Sequence, residues 1–170
     1  MNWAASNTEP QSSCQPLPAH ERQRVYLLPG ELHVSTQSAQ ISTILGSCVS
    51  ICLWDSSTRS GGMNHFLLPF SRNFSPASSR FGDYSTAILL EKMLSAGCKK
   101  QYLTAKVFGG ADMFHDLSNY SDSLGGRNVA SALEMMKNTG IPVIAQETGG
   151  TKGRKIIFDT EDGTVWARSV

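Results

Sequence analysis

A chain of 170 residues with 15 lysines and arginines against 14 aspartates and glutamates has a formal net charge of +1, which offers no bulk field for a polyanion or a membrane surface and argues against a dedicated nucleic-acid binder. With 40% of residues in the apolar set and 17% charged, the length suits one domain with its own core. Cys14, Cys48, Cys52 and Cys98 are too few for a disulfide framework in a chain this long and read as free thiols in a reducing compartment.

The first twenty residues are polar and proline-containing, and they cannot bury enough surface to offset the entropy of ordering. They read as a disordered tail carrying Cys14, ahead of a domain over residues 21–170. No apolar run is long enough to span a membrane, and the start lacks the basic and apolar segments of a secretory leader, so a cytoplasmic location is expected.

From Arg24 onward, short β-type runs follow one another: VYLL, ELHVS, QISTIL and VSICLW, separated by Pro29-Gly30, Gln37-Ser38 and Gly46-Ser47. VSICLW has apolar residues in both alternating sets and suits a strand covered on both faces. Asp55–Ser60 reads as a turn and GGMNHFLLP as the returning strand. Asp83 is the expected N-cap of a helix over Tyr84–Ala96, with Ala87, Leu90, Met93 and Leu94 on one face and Gly97 as its stop. YLTAKVF then reads as a strand. A second helix is expected over Arg127–Asn138, with Val129, Ala132, Leu133 and Met136 inward and Gly140 as the stop. PVIAQ, KIIFD and TVWAR complete the strands, the last two joined by a TEDG turn. Many strands interrupted by two helices predict an α+β or α/β fold, a β-rich layered domain.

Chemistry concentrates in STILGSCVSICLWD and GGMNHFLLP. A cysteine nucleophile needs an accessible thiol, a base within reach and donors for an oxyanion, and Cys48 follows a Gly-Ser turn while His65 sits on the next strand. In a hairpin folded about Asp55–Ser60, opposed residue numbers add to about 115, and Cys48 with His65 fall two short, an offset that a bulge at Gly61-Gly62 could absorb. A buried cysteine and a hydrogen-bonded core histidine would give the same pattern without chemistry. Cys52, about 13 Å along the strand from Cys48, fits that structural role.

Other constellations are weaker. Gly46-Ser47-Cys48 lacks the G-x-S-x-G spacing of a serine-hydrolase elbow. Cys48, Cys52 and His65 contain no zinc-type pair, and His20, His33 and His115 are scattered, so neither metal nor cofactor is expected. Gly109-Gly110 and Gly125-Gly126 complete no nucleotide motif and read as tight turns.

GSCVSICLWD, GGMNHFLLP with its histidine 17 residues after the cysteine, FGDYSTA, FGGADMF, GGRNV and ETGG occur in this order. Together they resemble the CheD family, the chemoreceptor glutamine deamidases of bacterial chemotaxis, over about Val25 to Val170. The resemblance implies a cysteine amidohydrolase on a β-sandwich flanked by helices. It assigns Cys48 as nucleophile and His65 as base. Counted without gaps, the family's threonine falls on Ser42, six residues before the cysteine, with Thr43 one position later as the alternative. The amides around Gly46, Ser47 and Cys48 are the expected oxyanion donors, Gly46 permitting the turn. Gly109, Gly110, Gly149 and Gly150 are expected to serve backbone geometry. Arg127 and Asn128 should order the preceding loop, and Glu147 should cap or pair with Arg127. The implied partners are the helical cytoplasmic region of chemoreceptors and a CheC-type phosphatase, without nucleic acid or membrane insertion. A non-catalytic adaptor and a different cysteine hydrolase are the rival readings.

Overall fold

The computed structural model describes residues 22–71, 78–113 and 119–170; the tail assigned to residues 1–20, with Cys14 and His20, lies outside the described residues, as does His115. In chain order the elements are β1 (Gln23–Tyr26), β2 (Leu32–Ser35), β3 (Ala39–Leu45), β4 (Val49–Asp55), β5 (Ser60–Asn64), α1 (Gly82–Ser95), β6 (Leu103–Gly109), α2 (Leu124–Thr139), β7 (Val143–Thr148), β8 (Arg154–Asp159) and β9 (Val165–Ser169). Four strands form one sheet in the order β1-β3-β8-β9, and five form a second in the order β2-β5-β4-β6-β7. Both sheets are mixed, since β1 runs parallel to β3 and β6 parallel to β7.

The layers follow from alternation along the strands. In β3, Ile41 and Leu45 point inward and meet Cys52, Met63, Phe108, Ile156 and Phe158 in the core between the sheets. β4 is buried on both faces, as apolar residues in both of its alternating sets predict: Cys52 faces the other sheet, while Val49, Ile51 and Leu53 join Leu89 and Met93 of α1 and Val129, Ala132 and Met136 of α2. The result is a β-sandwich with both helices on the outer face of the five-stranded sheet, the expected α+β architecture. No helix among the described residues is long and apolar enough to cross a membrane.

Both helices depart from their expected frames. The first begins at Gly82, with Phe81 rather than Asp83 at the cap position and no side-chain cap. Asp83 lies in the first turn and accepts hydrogen bonds from the Ser71 and Tyr84 amides. Its inward face is Ser85, Thr86, Leu89 and Met93, while Ala87 and Leu94 are exposed. Small polar residues face the sheet here because Thr86 meets Asn64, whose Nδ2 lies 3.4 Å from the Thr86 hydroxyl; a purely apolar periodicity therefore rotates the expected face. The second helix starts three residues early, capped by Ser123, whose hydroxyl accepts from the Gly126 amide at 3.0 Å. Gly125 and Gly126, expected in a turn, form its first turn. The stops at Gly97 and Gly140 agree with expectation, both having positive φ.

Candidate active site

The β4–β5 hairpin sets the position of the cysteine and the histidine. Asp55 pairs with Ser60, Trp54 with Gly61, Leu53 with Gly62 and Cys52 with Met63, and a further bridge joins Val49 to Phe66 in the same register. The expected bulge at Gly61-Gly62 is therefore absent from this ladder. The two-residue offset makes Cys48 and His65 diagonal neighbours on one face instead, about 7–8 Å apart at Cα in a regular ladder and within reach of an imidazole. Cys48 is half-buried at the mouth of the strand, and His65 is 2% exposed.

Thr43 reaches His65 across the space between the sheets. Its Oγ1 stands 2.8 Å from His65 Nδ1 and donates to the Leu27 carbonyl at 2.8 Å. A hydroxyl has one proton to give. With that proton committed to Leu27, the threonine oxygen accepts from Nδ1–H, and the neutral ring holds its lone pair on Nε2. That atom is buried and without a hydrogen-bond partner among the described groups. Ser42, placed in the site by gapless counting, is on the opposite face of β3, with its hydroxyl 3.4 Å from the Val25 carbonyl. A one-residue step along a strand reverses the side chain, so Ser42 cannot meet His65 while Thr43 does.

Burial pushes the Cys48 thiol above its ordinary value, with its own backbone amide acting the other way. Burial likewise holds the His65 imidazole below its ordinary value, against the opposing pull of the Leu27 carbonyl and Glu31. Both shifts favour a neutral thiol beside a neutral imidazole at rest.

The loop before β4 is held by its carbonyls. Gly46 accepts from the Ala111 amide at 2.8 Å, Cys48 from the Gly110 amide at 2.8 Å, and Ser47 from Asn128 Nδ2 at 2.9 Å. Gly46 has no positive φ, which corrects the expectation that it frees a turn; its missing side chain makes room for Met113, whose Sδ would lie 2.5 Å from a Cβ there. Gly109 does need its freedom: it has φ +112°, and a Cβ would stand 2.2 Å from the Cys48 carbonyl oxygen. Gly110, Gly149 and Gly150 also have positive φ, as the backbone reading expected.

Glu147 offers its backbone carbonyl, with that of Gly149, to the Arg154 guanidinium. Arg127 is exposed, whereas Asn128 is fully buried and ties the Ser47 carbonyl to that of Leu67, both at 2.9 Å. The sequence reading gave Asn128 only a local role in the loop just before it.

Cys48 opens onto a cleft of about 590 Å³ lined by Ser47, Leu67, Leu68, Arg80, Phe81 and Leu124. A second concavity of about 650 Å³ shares Leu68, Phe81 and Leu124 and continues along α2 past Arg127 to Glu134. No group of three or more His, Cys, Asp or Glu side chains among the described residues could hold a metal ion.

The family model described as CheD chemotactic sensory transduction matches residues 67–169. The chain is 41% identical over 142 residues to the probable chemoreceptor glutamine deamidase CheD of Trichlorobacter lovleyi, covering 84% of this chain and 88% of that protein. It is 42% identical over 149 residues to the probable chemoreceptor glutamine deamidase CheD 1 of Anaeromyxobacter dehalogenans, covering 88% and 86%. A third relative, the probable chemoreceptor glutamine deamidase CheD of Vibrio vulnificus, is 40% identical over 158 residues, covering 86% and 71%. Matches of this extent span Cys48 and His65, which precede the segment matched by the family model. On both the family model and the extent of these relatives, the chain belongs to the CheD family.

Proposed function

We propose that this chain is a chemoreceptor glutamine deamidase in which Cys48 is the nucleophile, His65 the general base and acid, and Thr43 the group that orients the imidazole. The observation that carries the reading is the Thr43–His65 contact, which leaves the Nε2 lone pair unshared on a side chain that lies on the same face of the hairpin as Cys48.

In this reading His65 Nε2 takes the Cys48 proton as sulfur attacks the side-chain carboxamide carbon of a receptor glutamine. The tetrahedral intermediate collapses by expelling ammonia, which leaves with the proton that His65 returns. Water, deprotonated by the same nitrogen, then attacks the thioester, releasing glutamate and restoring the thiol. An ordinary thiol is a few per cent thiolate at pH 7, and burial reduces that fraction at Cys48. Proton removal by His65 is therefore coupled to attack rather than completed beforehand. Stabilising the oxyanion is the larger requirement, since one well-aimed donor contributes roughly 3–4 kcal/mol.

The cleft at Cys48 and its continuation along α2 form a shallow, mainly apolar trough suited to one face of a receptor helix, and action on the cytoplasmic region of receptors makes the cytoplasm the working location. A CheC-type phosphatase as partner belongs to this reading through the family resemblance. The test is incubation with a receptor cytoplasmic fragment, followed by ammonia release and mass analysis of its glutamines. Amide-to-acid conversion by the wild type and none by Cys48→Ala supports the reading; an unchanged fragment favours an adaptor, and a cleaved one a peptidase.

A further inference from the structure

We infer that Asn128 is a positioning residue that aims the Cys48 backbone amide for the tetrahedral oxyanion, an inference that rests on Cys48 being the nucleophile of the proposed reaction. A trans peptide is planar, with its C=O and the following N–H pointing in opposite directions. The rule can be checked one residue further on, where the Cys48 carbonyl accepts from Gly110 of the β6 edge while the Val49 amide donates the other way, to Phe66. Applied to the Ser47–Cys48 peptide, it has a direct consequence. Asn128 draws the Ser47 carbonyl toward α2, so the Cys48 N–H points away from that helix, toward the face that carries its own thiol and His65. The backbone amide of Cys48 does act on its sulfur, lowering the thiol against the effect of burial.

Asn128 Nδ2 donates to two carbonyls, those of Ser47 and Leu67, both at 2.9 Å, which fixes the amide orientation. Its Oδ1 is buried with no partner among the described groups. A buried oxygen without a partner calls for an explanation, and a positioning role next to the nucleophile is one. Ser47 and Leu67 flank the cleft from two different chain segments, so one side chain holds both walls and the peptide between them. Without it the Ser47–Cys48 peptide loses the bond to α2 that sets its direction, and a tilt of its plane would turn the amide away from the developing negative charge.

The test separates attack on a carbonyl, which needs the oxyanion donor, from alkylation, which does not. Asn128→Ala and Asn128→Ser are compared with wild type in three measurements: deamidation of the receptor fragment, inhibition by a glutamine-derived peptide aldehyde that forms a tetrahedral adduct with Cys48, and alkylation by iodoacetamide. Expected are losses of about 10²–10³-fold in kcat/KM and of similar size in aldehyde affinity, with alkylation within about twofold of wild type. Equal losses in all three would place Asn128 in folding or thiol activation, and retained aldehyde affinity would remove it from the oxyanion site; either overturns the inference. In the unaltered protein with isotopically labelled cysteine, the Cys48 amide proton should move downfield when the aldehyde adduct forms, and an unmoved resonance refutes the inference without any variant. A wild type that binds the aldehyde but leaves every receptor glutamine intact would count against the proposed substrate and not against Asn128.

Discussion

Thr43 Oγ1 lies 2.8 Å from His65 Nδ1 while giving its own proton to the Leu27 carbonyl, and this relay from backbone to hydroxyl to imidazole selects the ring tautomer. A hydrogen bond to a group that becomes charged contributes about 1.5–3 kcal/mol. Thr43→Val, which keeps the shape and removes the hydroxyl, should therefore lower kcat/KM for ammonia release by about 10–100-fold. Ser42→Ala, on the other face of β3, should leave it within about twofold. The reverse ranking in a steady-state assay would return the third role to Ser42.

The resting protonation state sets the pH dependence. Burial lowers His65 and raises Cys48, so the species with one shared proton extends from below about 6.5 to above about 8.5. A broad plateau in kcat/KM across that window is expected, falling in acid as His65 gains its proton and in base as Cys48 loses its own. Within the plateau the proton resides on sulfur. The ultraviolet thiolate absorbance of wild type minus Cys48→Ala should accordingly be absent near neutrality and appear only well above the ordinary thiol range. A full thiolate signal at neutral pH would show a preformed ion pair and contradict the coupled proton transfer.

The hairpin was legible because its evidence is local: an Asp55–Ser60 turn and a fixed antiparallel sum place His65 relative to Cys48 to within one diagonal step. The family blocks added the chemical meaning that the strand pattern alone lacks. Gapless counting selects Ser42 over Thr43 because it assumes an unbroken match, whereas which hydroxyl meets His65 depends on which face of β3 looks across the sandwich, a tertiary fact. The contacts of Asn128 are hidden from the sequence for the same kind of reason. Its partners Ser47 and Leu67 are 81 and 61 residues away, and nothing local in GGRNV indicates a contact over that separation. The face of α2 agrees with its apolar periodicity, whereas that of α1 is rotated because small polar side chains, Ser85 and Thr86, do the packing that periodicity assigns to apolar ones.

Asp55 ties the hairpin turn to the segment after α1, and its loss should affect stability more than chemistry. The carboxylate accepts from the Ser57 amide at 2.7 Å, the Ser57 hydroxyl at 2.6 Å and the Lys99 amide at 2.9 Å. Burial by itself would raise this carboxyl, but these hydrogen bonds outweigh it and hold it below its ordinary value. A group depressed on folding stabilises above its unfolded pKa, near 3.9, and loses that contribution as pH falls through the lower folded value. Asp55→Ala should cost about 2–4 kcal/mol in urea unfolding at pH 7, and the gap from wild type should narrow in acid. Its kcat/KM under native conditions should stay within a few-fold. An unchanged unfolding midpoint at pH 7 would remove Asp55 from the account of the turn.

Leu68 separates binding from chemistry. It lines both the cleft at Cys48 and its continuation along α2 and is 40% exposed, so replacing it leaves the core intact. Leu124, Arg127, Ala130, Ser131 and Glu134 border the same trough from one side of α2, at the spacing that a helix lying alongside would meet. If a receptor helix covers Leu68 as its glutamine reaches Cys48, Leu68→Ser removes contact made equally in ground and transition states. That loss raises KM without lowering kcat. Burial of one leucine contributes about 1.5–3 kcal/mol when complete, and with part of the side chain already covered a KM increase of about tenfold is expected. Because the trough presents more apolar than charged surface, the wild-type KM should change only modestly with salt. A lower kcat at constant KM would instead assign Leu68 to holding the Cys48 loop, and no change in either parameter would mean that the receptor approaches Cys48 from another direction.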